Sequence, residues 1–239
     1  MFKAIFTSAL LAGILSGVGI TLVQHVTTAP LILHAEEFEK AEASDKHFSL
    51  VAYTLAHGKE KLGTVKVDVW GPEKGFERFA YTTLANIIFG VGFALLLVAS
   101  YAMHGDKISG RIGIIWGMAG FAVFTLSPSL GLPPEVPGSM VAELGARQGW
   151  WLAAAASMAF GLWLVVFREG FFFILSGIII IALPHAIGAP HPNEFGGPVP
   201  AGLVGQFVAT SIVIAAVFWV MLGWLSGTFY QRFTANIET

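Results

Sequence analysis

Of 239 residues, 55% are hydrophobic and only 12% charged, and the mean hydropathy is +0.73; this excludes a soluble domain of ordinary composition and makes the chain an integral membrane protein. The formal net charge of -2 comes without a basic stripe or basic-aromatic interleaving, which argues against nucleic acid as a partner. The absence of cysteine removes disulfides, thiolate metal sites and a cysteine nucleophile.

Six runs without Asp, Glu, Lys or Arg follow in order: 4–26, 79–103, 112–132, 150–167, 171–187 and 203–229. Each is near the roughly 20 residues that cross a bilayer core, and backbone groups in lipid must be satisfied within the segment, so each run predicts a transmembrane helix. The predicted fold is all-α: one polytopic membrane domain over 1–239 with about six spans. The first run follows Met1-Phe2-Lys3 as a signal peptide's would. It exceeds an h-region of roughly 7–15 residues, and "TTAP" places Pro30 after the candidate cleavage site, so it reads as a retained helix. The two shortest runs, separated by Arg168, Glu169 and Gly170, form a tight hairpin, short enough for one member to be re-entrant.

Between the first two runs lies a polar insert, 34–78, with nine of the fifteen acids and seven of the thirteen bases. "AEEFEKAEAS" has helix-forming composition and extends the exit of the first span, whereas "TVKVDVW" alternates and predicts a short strand before the "GPEKG" turn. Basic residues resist translocation. With the N-terminus cytoplasmic, the inner side carries Lys3, Lys107, Arg111, Arg168 and Arg232 and the short outer loops only Arg147, so both termini are expected inside and the insert outside.

Laying Gly131 on Gly188 sets "LSPSLGLPPE" against "LPHAIGAPHPNE", and an offset one residue longer brings Gln148 opposite Gln206, which suggests a tandem repeat of one helical hairpin. Polar residues at membrane depth are costly and usually face a bundle interior or an aqueous pathway. Under the topology above they gather at the outer ends: Gln24 and His25 on the first span, Asn86 on the second, His185 on the fifth, Gln206 on the sixth. Pro184 loosens the turn bearing His185, and Gly188, Pro190 and Pro192 stop that helix, exposing carbonyls beside an imidazole and below His191. Pro128, Pro133, Pro134 and Pro137 do the same after the third span, where Glu135 is the carboxylate.

Imidazole nitrogen and carboxylate oxygen suit Co, Ni, Zn or Fe better than Cu(I). The candidate metal ligands are therefore His25, His185, His191 and Glu135, with His34 as an extension, and the candidate pathway lining is Asn86, Gln148 and Gln206. His104, near basic inner-loop residues, reads as an interfacial residue, and His47 and His57 as surface residues of the insert. "GWW" and "FFF" at span starts read as interface anchors, and the glycines of "AGILSGVG", "FGVG" and "GMAG" as packing faces. No Walker A, H-E-x-x-H or G-x-S-x-G pattern occurs, so neither ATP hydrolysis nor those hydrolase chemistries is expected of the chain. Facing His25 and His185 also leave a bis-histidine haem open, with no further residue supporting it.

The blocks "LAGILSGVGITLVQHVTTAPLILHAEEFE", "WGPEKGFERFAYTTLANIIFGVGFALLL", "LSPSLGLPPEVPG", "ARQGWWLAAAASMAFGL", "LPHAIGAPHP" and "VPAGLVGQF" resemble, in the same order and over most of the chain, the CbtA family of cobalt transporter subunits. The resemblance implies a permease-like subunit in the bacterial inner membrane, associated with cobalamin synthesis. It also implies a small single-span partner, CbtB, with a histidine-rich end; a homo-oligomer is open as well. The expected function is uptake of a divalent metal, Co(II), as cargo and with no permanently bound cofactor or enzymatic activity. The alternative is a non-transporting scaffold for a metal or cofactor system.

Overall fold

The protein is seen in a computed structural model that describes residues 2–57 (43–57 as backbone alone), 71–105, 107–193 and 196–235. The described residues form seven helices and no strand: α1 (Phe2–Val26), α2 (Thr28–His57), α3 (Phe76–His104), α4 (Gly110–Ser129), α5 (Leu144–Phe167), α6 (Phe171–Ile187) and α7 (Ala201–Ala235). Among them α1, α3, α4, α5 and α7 are long and apolar enough to cross a membrane. The sixth predicted span, α6, has 17 residues, about 25 Å of helix against a hydrocarbon core of roughly 30 Å. Glycines at positive φ close it at both ends, Gly170 on entry (φ 111°) and Gly188 on exit (φ 94°). The described residues thus hold five helices of spanning length, and α6, the remaining predicted span, is shorter.

The helical reading of "AEEFEKAEAS" agrees with α2, although α2 is a separate helix. The chain turns at Thr27, whose N–H bonds the Gln24 carbonyl at 3.2 Å, and helix restarts at Thr28 with Pro30 in its first turn, where a missing N–H costs nothing. The strand expected at 64–70 lies outside the described residues. The start of the insert is more than a solvated cap: Ala35 is fully buried and clusters with Val136 and Phe207, with Leu31, Val199 and Leu203 packed around them.

Lipid is as apolar as leucine, so helices associate through close backbone packing. The glycine motifs supply it. A Cβ on Gly13 would lie 2.4 Å from the α3 backbone at Val91, and one on Gly113 of α4 would lie 2.2 Å from the α7 carbonyl of Gly223. Gly161 and Gly177 join α5 to α6 in the same way, a Cβ on Gly161 falling 2.6 Å from the Gly177 carbonyl. Together α1, α3, α4 and α7 enclose a core of Ala12, Ala94, Val98, Tyr101 and Leu222, in which the Tyr101 and Ser226 hydroxyls bond at 3.0 Å.

The two sequence hairpins, α4–α5 and α6–α7, do not pack as two separate units. They interlock, α4 lying chiefly along α7 and α5 along α6. The α5–α6 pair meets the rest of the bundle, through α5, at the end of α4, a π-helical turn over Ala122–Leu126 followed by the last turn, Ser127–Ser129. Pro128 explains the π turn. Its ring would clash with the carbonyl four residues back in a regular helix, and the wider turn, in which the Ser127 N–H reaches the Ala122 carbonyl, relieves that clash.

Candidate functional site

Near the C-terminal end of α1 and the N-terminal ends of α3 and α7, beneath α2, lies a cavity of about 580 Å³. One wall is polar. Asn86 of α3 donates its Nδ2 hydrogens to Thr21 Oγ1 (2.9 Å) and Gln24 Oε1 (2.7 Å) of α1, and the Thr21 hydroxyl donates in turn to the Gly17 carbonyl at 2.8 Å. His25, one residue beyond Gln24, lines the cavity with its ring edge-on to Phe79, centroids 5.4 Å apart. The roof is tied down by Arg78, whose guanidinium bonds the Glu36 carboxylate of α2 at 2.6 Å.

The far end is closed by aromatic rings. Trp219 of α7, 3% exposed, stacks on Phe124 with the planes 5° apart and meets Phe93 at 4.8 Å. Its indole N–H donates to Thr125 Oγ1 at 3.2 Å. Gly120 makes room for the ring, since a Cβ there would come within 2.2 Å of it. The π turn therefore carries both Thr125, which lines the cavity, and Phe124, which stacks on Trp219.

Of the residues singled out from sequence, His25 and Asn86 meet in this cavity. His34 lies on α2 beside Phe38, ring centroids 5.3 Å apart. His185 faces the last turn of α4: its Nε2 pairs with Ser127 Oγ at 3.1 Å and its ring is edge-on to Trp150. The Trp150 indole N–H donates to the Pro184 carbonyl at 3.2 Å and so staples α5 to α6. His191 is exposed, its Nδ1 3.4 Å from the Pro192 carbonyl. Glu135 takes a short bond from Arg147 (2.5 Å) and both, with Gln148, border a second cavity of about 570 Å³. Gln206 is exposed near the start of α7. Among the described residues no three His, Asp or Glu side chains stand close enough together to share a metal ion.

Sequence reading passed over Thr21, Arg78, Thr125 and Trp219. Thr21 and Gln24 are three apart, hence on one helix face, a signal that was available. Thr125 and Trp219 carried none, because their role depends on the π turn and on which helix faces which.

Removing the Glu36–Arg78 pair with Arg78→Ala should weaken the seating of α2 by about 0.5–1 kcal/mol, a value discounted for partial exposure. Limited proteolysis of the purified protein at Lys40 should then quicken by about two- to fivefold; an unchanged rate would show that the pair does not hold the roof. At the start of α5, Glu143 accepts from the Gly145 and Ala146 N–H groups (2.8 and 2.7 Å), which lowers its pKa. A lowered carboxylate pKa stabilises the fold above its unfolded value and loses that contribution as pH falls through the folded one. Amide exchange at Gly145 and Ala146 should therefore accelerate below about pH 4.3, beyond the intrinsic pH effect, and Glu143→Gln should remove that extra dependence.

A family model described as "Probable cobalt transporter subunit (CbtA)" matches residues 2–231 of the chain. No curated protein and no solved structure matches it.

Proposed function

The chain belongs to the CbtA family of cobalt transporter subunits, and from that premise we propose that it is the permease-like subunit of a cobalt uptake system, receiving its cargo in the cavity between α1, α3 and α7. The observation that carries this reading is the convergence of His25, Gln24, Thr21 and Asn86 on one wall of a closed-ended cavity in an apolar bundle. An imidazole nitrogen and neutral amide and hydroxyl oxygens bind a borderline cation such as Co(II) without trapping it, and passage requires binding that can be undone.

In this reading the cavity faces outward from a bacterial inner membrane, with both termini cytoplasmic and α6 completing six crossings. His185, His191, Glu135 and His34 concentrate the metal at the rim, Gln148 and Gln206 offer amides along the adjoining surface, and a small single-span, histidine-rich CbtB-like subunit delivers the ion. Accumulation of radiolabelled cobalt should fall about tenfold in cells carrying His25→Ala, in line with the loss of a metal-site interaction, and less in His185→Ala. Unchanged accumulation in His25→Ala at normal expression would remove the cavity from the pathway. Absence of flux in liposomes, with or without the small partner, would assign a scaffold instead.

A further inference from the structure

Resting on the reading that this cavity receives cobalt, we infer that the metal enters it as an organic chelate, neutral or singly anionic overall and with one open coordination position, and not as the aqua ion. Three observations converge. Among the described residues the lining contains a single imidazole, His25, and no carboxylate, and its other ionisable side chain, Arg78, is a cation already paired with Glu36. Most of the remaining wall is apolar: Phe79, Phe89, Phe93, Phe207, Phe218 and Trp219 all face the space. At about 580 Å³ the volume falls within the range of small-molecule sites, which combine an apolar lining with a few placed polar groups.

A divalent aqua ion surrendering its outer waters to such a wall would be left with uncompensated charge in a medium of low dielectric. One imidazole and a few neutral oxygens do not offset it. A chelator does, because it carries the counter-charge and covers the metal with carbon that the aromatic rings can pack against. The only coordination change needed is an exchange: one axial water leaves the metal and a His25 ring nitrogen takes its place, with no change of oxidation state. The amides of Gln24 and Asn86 then face the polar edge of the chelate.

Bis(dimethylglyoximato)cobalt(II), a neutral planar chelate with open axial positions, supplies the test. Mixed anaerobically with the purified chain in detergent and an amine-free buffer, it should show in its electron paramagnetic resonance spectrum the triplet splitting of one axial nitrogen. The splitting should disappear in His25→Ala and also in Ser211→Phe, which fills the cavity and leaves the imidazole in place; Thr82→Phe serves if Ser211→Phe does not fold. Equilibrium dialysis against cobalt chloride should retain at least about tenfold less metal per chain. A triplet of equal intensity in His25→Ala, no triplet in the unaltered chain, or equal retention of the aqua ion would overturn the inference. Cobalt accumulation in cells reports separately: if it still depends on His25 while the chelate is not bound, the chelate form falls and the transport reading stands, whereas accumulation independent of His25 defeats the reading itself.

Discussion

Trp219→Ala should destabilise the folded bundle by about 3–5 kcal/mol, the range for removing a large aromatic side chain from a packed interior. The cost has a particular origin in a membrane. Transfer from water contributes little where the surroundings are lipid, so the loss is of dispersion contacts: the stack on Phe124, the contact with Phe93, and the fit of the ring into the space left by Gly120. The vacated volume would also join the existing cavity and leave Thr125 without its indole donor. Trp219→Phe separates these effects, since it keeps a ring in the stack and removes the hydrogen bond, for about 1 kcal/mol. Denaturation in a detergent and SDS titration should rank the two variants in that order; equal losses would mean that the aromatic stack does not close the cavity. Neither variant should leak ions, because Leu222, Val98 and Tyr101, all fully buried, still lie in the core below.

Gly223→Leu should be comparably damaging, by about 3 kcal/mol or more, at the upper end of what overpacking costs. The first atom of the new side chain would stand 2.3 Å from the Gly113 carbonyl and 2.9 Å from the Gly117 Cα, both backbone atoms on α4 that no rotamer change can move. The two helices would have to separate along their length. Gly92→Leu is the matched control, for nothing lies within 4 Å of a Cβ at that position, and it should be close to neutral. The same SDS titration reads both. Similar midpoints for Gly223→Leu and Gly92→Leu would contradict the close approach of α4 and α7.

The limits of the helices were legible because the physics that sets them is local. The charge-free run 171–187 coincides with α6, and the run 4–26 with nearly all of α1, since a charged residue or a helix-breaking Pro-Gly pair acts on its own turn of backbone. The glycine motifs were legible as packing faces for a similar reason: a missing side chain leaves a groove whatever fills it. The tandem-hairpin pattern is different. Sequence similarity relates α4–α5 to α6–α7, yet α4 packs on α7 and α5 on α6, and no spacing within either motif specifies that exchange of partners.

The candidate site divides along the same line. That polar groups would lie near helix ends followed from sequence, as did the irregular turns at Pro128 and Pro184 in the last turns of α4 and α6. His25 and Asn86 meet because α1 and α3 pack glycine to glycine lower down, which sets their register; His185 reaches Ser127 because α6 lies along α5, which packs on the last turns of α4. Sequence by itself determined a polytopic helical membrane protein, its span limits and the residue types available to a metal, because hydropathy and backbone breaking are properties of single segments. Only the tertiary structure decided which of those residues share a cavity, that α2 roofs it and that Trp219 closes it, because in lipid the choice of helix partner rests on interlocking surfaces far apart in the chain, with no hydrophobic gradient to announce it.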